Sequence, residues 1–159
     1  MVNSSRRQFV RDVSVYGSLV ALAKVGFLGV AYARPDAWNE ASFEALDLAS
    51  AISGITGEPV ENDGDQLIRF VAPPIAENGA VVPVGVKVES EKTIDSIAIL
   101  CDKNPRPLAA YYQLHPDAIP FIRTRIKMRE TSSVVAIVHT PDGYVRSEHL
   151  IKVTKGGCG

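Results

Sequence analysis

The chain has 159 residues, a formal net charge of −1 and 46% hydrophobic residues. That is enough apolar side chain for the core of one domain. It lacks the cationic excess of nucleic-acid-binding chains, which excludes a nucleic-acid partner from the reading.

The amino-terminal stretch Ser5-Arg6-Arg7-Gln8-Phe9-Val10-Arg11 has the form of a twin-arginine export signal, with Arg6 and Arg7 as its arginine pair. An apolar run from Val13 to Ala33 follows and closes on Ala31-Tyr32-Ala33. Small residues at 31 and 33 suit a signal peptidase, so residues 1–33 are expected to leave by cleavage after Ala33. The charge of Lys24 inside the run argues against a retained membrane anchor, and no membrane association is expected after cleavage. Loss of Arg6, Arg7, Arg11 and Lys24 together with Asp12 takes the net charge from −1 to −4. The mature chain, residues 34–159, then reads as a small acidic periplasmic domain. The twin-arginine route carries folded proteins. With no cofactor motif in the chain, that choice points to a partner subunit exported with it.

Residues 34–153 are expected to form the folded body. Asn39 suits a helix N-cap, and Trp38 and Phe43 have the spacing of a hydrophobic staple. Ala41, Ala45, Leu48 and Ile52 recur at helical spacing, and Gly54 is a natural stop. One helix of about four turns is therefore predicted. Ile55 to Gln66, rich in Gly, Pro, Glu and Asp, reads as loop.

The remaining pattern is strand. Leu67–Ala72 is a short apolar run, broken by Pro73–Ala80 with its Asn78-Gly79 turn pair. Val82, Val84, Val86 and Val88 alternate with smaller or polar residues and point one valine face at a core. Thr93–Cys101, Leu108–Leu114 and Phe121–Met128 follow. In the last of these, Ile122, Thr124, Ile126 and Met128 alternate with Arg123, Arg125 and Lys127. Ser133–Thr140 turns through Pro141-Asp142-Gly143 into Tyr144–Val153. About seven short strands without intervening helices predict an all-β antiparallel sandwich preceded by one helix.

The usual catalytic constellations are absent from the sequence. His115, His139 and His149 are scattered and share no metal-ligand spacing with the two cysteines, so no metal site is expected. There is no G-x-S-x-G, no phosphate loop and no C-x-x-C. The row Arg123, Arg125, Lys127 and Arg129 reads as the solvated face of an edge strand, or as an attractor for an acidic partner. Cys101 shares a strand face with Ile97 and Ile99 and reads as a small core hydrophobe.

Cys158 is different. It sits in Lys155-Gly156-Gly157-Cys158-Gly159, and residues 154–159 are expected to form a flexible arm. Five extended residues from Val153 span about 17 Å, at roughly 3.3–3.6 Å per residue. Gly156, Gly157 and Gly159 keep the arm at backbone width. Such a thiol is a serviceable carrier, activated by whichever enzyme receives it. An alternative is an exported sandwich module with a structural Cys101–Cys158 disulfide. A copper or zinc chaperone lacks a second ligand beside Cys158.

The twin-arginine signal, Asn104-Pro105-Arg106-Pro107-Leu108, Thr124-Arg125-Ile126-Lys127 and Val153-Thr154-Lys155-Gly156-Gly157-Cys158-Gly159 together resemble the SoxY family, the sulfur-carrying subunits of the thiosulfate-oxidising Sox system. The family's tail ends in glycine-glycine-cysteine-glycine-glycine, and this chain is one glycine shorter. The resemblance implies an immunoglobulin-like sandwich and a heterodimer with a SoxZ-like subunit. It implies that Cys158 is joined oxidatively to thiosulfate by the c-type haem protein SoxAX. The SoxB hydrolase then releases sulfate and, in some organisms, the sulfane dehydrogenase SoxCD acts on the remaining sulfur. The carrier itself would be no enzyme and would need no cofactor.

Overall fold

The computed structural model describes residues 39–157. The export signal with Arg6 and Arg7, the cleavage point after Ala33, the Trp38 end of the staple, and Cys158 and Gly159 lie outside the described residues.

Asn39 caps α1 (Glu40–Glu44), its side chain accepting the Ser42 amide at 3.1 Å. The expected single helix is two. Ala45 is extended, and Asp47 starts α2 (Leu48–Thr56) by accepting both the amide and the hydroxyl of Ser50, at 2.8 and 2.7 Å. Gly54, expected to end the helix, lies inside α2. A β-carbon there would collide with Ser42 Oγ, so the missing side chain lets α1 fold back onto α2. Asn39 Nδ2 reinforces that contact by donating to Gly54 O at 2.6 Å. The stop is Gly57, at φ +81°, whose amide donates to Ser53 O at 2.7 Å.

A short 3-10 turn, Gly64–Gln66, leads into eight strands. They are β1 (Ile68–Val71), β2 (Ile75–Ala76), β3 (Val82–Val88), β4 (Ser96–Cys101), β5 (Leu108–Gln113), β6 (Phe121–Ile126), β7 (Ser132–Thr140) and β8 (Gly143–Val153). One sheet has the order β1-β3-β6 and the other β2-β8-β7-β4-β5. The seven expected strands are all present, and the eighth, β2, falls in the stretch read as a break. It also corrects the expectation of a wholly antiparallel sandwich, because β2 runs parallel to β8, with Ile75 opposite Lys152 and Ala76 opposite Val153. Lys152 N donates to Pro74 O and Thr154 N to Ala76 O, each at 3.0 Å. Prolines at 73 and 74 favour extended backbone, which suits a short edge strand.

The sheets enclose a core to which β3 contributes Val82, Val84, Val86 and Val88, all buried as the alternation predicts. Ile97, Ile99 and Cys101 of β4 face them with Val134, Ala136 and Val138 of β7. The opposite faces of β4 and β7 are buried too. Ala98, Leu100, Val135 and Ile137 pack with Leu108 against Ala51 and Ile52 of α2. β4 is therefore buried at every position, which is why it reads as a continuous apolar run rather than an alternating one. Among the described residues, the α-helices pack on the five-stranded sheet.

Candidate functional site: the seat of the carboxy-terminal tail

Hydrogen bonding does not stop at Val153, where the body was expected to end. Thr154 Oγ1 donates to Glu77 O at 3.1 Å. Gly79 N donates to Lys155 O at 2.8 Å, and Gly157 N donates to Met128 O at 3.0 Å. Met128 N in turn donates to Gly79 O at 2.7 Å, so the two walls of the seat are bonded to each other as well as to the tail. One wall is the Glu77–Ala80 loop; the other is Met128–Arg129, just past β6. The expected arm of residues 154–159 is thus seated on the body through Gly157.

The glycines are what make the seat narrow. A β-carbon on Gly156 would strike Arg129 O, and one on Gly79 would strike Met128 O and come within 2.7 Å of Gly157 N. A β-carbon on Gly157 would lie 2.5 Å from Ala80 N. All four obstacles are main-chain atoms, which do not swing aside as a side-chain tip does. Gly79 has no positive φ, so the Asn78-Gly79 pair is not a left-handed turn. Its glycine is required by close approach, and Asn78 shapes the loop by accepting the Ala80 amide at 2.9 Å.

The far wall is fastened from a third direction. Asn104, in the loop between β4 and β5, donates through Nδ2 to Lys127 O at 2.7 Å and accepts from Arg129 N at 3.0 Å through Oδ1. That amide brackets Met128, whose side chain is fully buried. The Asn104 loop is braced by Asn104 N donating to Cys101 O at 3.2 Å and by Arg106 pairing with Glu44 of α1.

Cys101 itself is enclosed. It is a free thiol with no solvent exposure, with Sγ 3.2 Å from Ser132 Oγ, and burial pushes its pKa up. It is the core hydrophobe expected, and a poor nucleophile.

The remaining polar groups do not converge. His139 stacks on Tyr144 with centroids 4.3 Å apart, His149 stacks on Phe70 at 5.5 Å, and His115 lies 3.5 Å from Asp117. Among the described residues no group of three or more metal-ligating side chains comes together. Among them, too, no helix is long and apolar enough to cross a membrane. β6 is an edge strand, as the basic row suggested, and Arg123 and Arg125 are exposed on it. They line an open depression of about 740 Å³ with Pro83 and Thr124 on the three-stranded sheet.

A thiol-bearing tail seated on an immunoglobulin-like sandwich is the arrangement to set against known proteins. The family model of the sulfur oxidation protein SoxY matches residues 52–158. The chain belongs to the SoxY family. Among solved structures it is similar to the sulfur carrier protein SoxY from Chlorobium limicola f thiosulfatophilum, with 32% identity and a TM-score of 0.57 over 65% of this chain and 93% of that one. A superoxide reductase (neelaredoxin) from Ignicoccus hospitalis shares the fold alone, at 19% identity and a TM-score of 0.50 over 55% of this chain and 79% of that one. No curated protein matches. The SoxY match takes in both the Asn104 loop and the tail, so the seat and its fastening fall within the family's region.

Sequence reasoning found the tail and its glycines but not the seat. Gly79 and Gly157 stand 78 positions apart, and no periodicity links them. The signal available was the pairing of two glycine-containing stretches with an asparagine-proline loop, each too narrow or too irregular to be strand.

Proposed function

We propose that the chain is a periplasmic sulfur carrier, exported by the twin-arginine route and bearing thiosulfate-derived intermediates on Cys158. The observation that carries this reading is the SoxY family match extending through Cys158. The seated tail adds support, since Gly156 and Gly157 bring the chain to that residue at backbone width, and Cys101 is enclosed in the core and unfit for the role.

In the first step the Cys158 thiolate and thiosulfate join through a new S–S bond. The two electrons released pass to a c-type haem protein of the SoxAX kind. Water then attacks the terminal sulfonate sulfur in a SoxB-like hydrolase, so that sulfate leaves and a persulfide stays on Cys158. Where a SoxCD-like sulfane dehydrogenase is present, it takes electrons from that sulfur while water supplies the oxygens, leaving a sulfonate on the Cys158 sulfur that the hydrolase releases as sulfate to restore the thiol. The chain supplies the attachment point and no catalytic group, and it works as a heterodimer with a SoxZ-like subunit.

Intact-mass spectrometry of the protein from thiosulfate-grown cells tests the reading. The expected result is a sulfonated adduct that vanishes in Cys158→Ser, together with loss of thiosulfate oxidation in that strain. An unmodified Cys158 throughout, or a Cys158→Ser strain that still oxidises thiosulfate, sinks it. The alternative of a structural disulfide requires Cys101, whose sulfur faces the inter-sheet core.

A further inference from the structure

The tail is held by main-chain groups, and one side chain holds the wall that holds it. Lys155 O and Gly157 N bond to Gly79 N and Met128 O, while Gly79 O and Met128 N bond each other. These contacts bury no large apolar side chain of residues 154–157, so nothing of the hydrophobic effect locks them shut. Only hydrogen bonds in a well-matched seat oppose release, and segments of that kind open locally without global unfolding.

We propose that Asn104 is the positioning residue that sets the balance between docked and released Lys155–Gly157, by bracketing Met128 between Lys127 O and Arg129 N. The purpose of the exchange rests on the carrier reading. Docked, residue 158 follows directly on Gly157, whose amide is bonded to Met128 O; released, it lies four residues beyond Thr154, which Ala76 O and Glu77 O hold. The maximum span grows from about 3.5 Å to about 14 Å, at roughly 3.3–3.6 Å per residue. A short tether keeps the reactive sulfur from wandering between encounters. A long one lets it enter an enzyme's cleft.

Asn104 is well placed for this because its two bonds straddle the acceptor of the tail. Removing its amide frees Lys127 O and Arg129 N together, and Met128 O loses its fixed position against Gly157 N. Gly79, Gly156 and Gly157 define the seat, and Asn104 defines how firmly it is closed.

The test uses the mature chain, purified with any subunit that accompanies it, and needs no thiosulfate. Amide hydrogen exchange is read at Gly79 and Gly157, and carboxypeptidase digestion from the C-terminus reports entry of the tail into an enzyme cleft. In Asn104→Ala, exchange at both glycines and the trimming rate should rise about tenfold, the size of effect that losing one to two hydrogen bonds produces. Asn104→Asp keeps the acceptor for Arg129 N and loses the donor to Lys127 O, so it should fall between the two. The buried Cys101 thiol serves as the internal control, and it should stay unlabelled by a maleimide while the tail loosens. Equal exchange in wild type and Asn104→Ala overturns the proposal. So does acceleration that spreads to the Ile99 and Val135 amides and exposes Cys101, because Asn104 would then only stabilise the fold. Normal docking with no thiosulfate adduct would instead defeat the carrier reading and leave the seat standing.

Discussion

The two ends of the described chain are attached to the same sandwich by opposite means. At the amino-terminal end, α2 is fastened by side chains: Ala51 and Ile52 are buried against Ala98, Leu100, Val135 and Ile137. At the carboxy-terminal end, residues 154–157 are fastened by hydrogen bonds, all main-chain but for the Thr154 hydroxyl, and by the absence of side chains at Gly156 and Gly157. Burial of an aliphatic side chain contributes about 1.5–3 kcal/mol and is non-directional. A single hydrogen bond contributes a net of about 0.5–1.5 kcal/mol and is lost once its geometry slips. The first attachment is the harder to break, and the second is the kind that opens locally while the first holds.

The comparison can be broken most severely at the fixed end. Ile52→Ala leaves a cavity between α2 and β4, and denaturant unfolding should show a loss of about 2–4 kcal/mol. If the loss is below about 1 kcal/mol, α2 is not the anchor described. Next comes Gly79→Ala. Its β-carbon meets Met128 O, so the two walls must part, and stability should fall by about 1–3 kcal/mol while the Gly157 amide exchanges freely. Gly157→Ala sharpens the contrast. It should release the tail, read as faster exchange at Gly79, yet move the unfolding midpoint by no more than the one or two hydrogen bonds lost, about 1 kcal/mol. Smallest of the four is the double change Arg123→Glu with Arg125→Glu on the three-stranded sheet. Both side chains are exposed, so the unfolding free energy should change by less than about 0.5 kcal/mol.

The buried thiol gives a pH test of the body that the tail does not touch. Burial raises the pKa of Cys101 above its ordinary value of 9.0. The unfolded chain therefore loses this proton first as pH rises, and it binds fewer protons than the native state. Stability from this group is complete below pH 9 and declines above it, at up to about 1.4 kcal/mol per pH unit, until the native thiol also ionises. Urea titrations across that range should show the decline, and Cys101→Ala should flatten it.

Much of the body was legible because its signals are local. The valine alternation of β3 and the apolar-basic alternation of β6 each place one face inward within six or seven residues. Asn39 announces a helix start by the same kind of short-range chemistry. What escaped was set by distant partners. Gly54 looks like a stop, but its missing side chain serves the packing of Ser42. Asp47 followed by Ser50 carried a second cap signal, hidden inside a stretch whose apolar spacing runs through it. Ile75-Ala76 is too short to show a period and becomes a strand only because β8 arrives beside it. The tail's glycines were read for the space they leave an enzyme. They leave the same space for Ala80 and Arg129, and the sequence has no means of separating those two uses.

The placement of β8 also decides how the protein answers to force. On the carrier function proposed above, an enzyme drawing Cys158 inward would load the end of β8, which is paired residue for residue with β7 from Ser132–Ile151 to Thr140–Gly143 and flanked on its other side by β2. Antiparallel ladder bonds lie perpendicular to the strands, so tension along β8 loads them together in shear. Lys155 and Gly157 are each held by a single main-chain bond outside any ladder, so they do not share the load in that way. The tail therefore yields first and the sandwich does not feel the tug, and a carrier domain can be worked repeatedly by its enzymes without being unravelled by them.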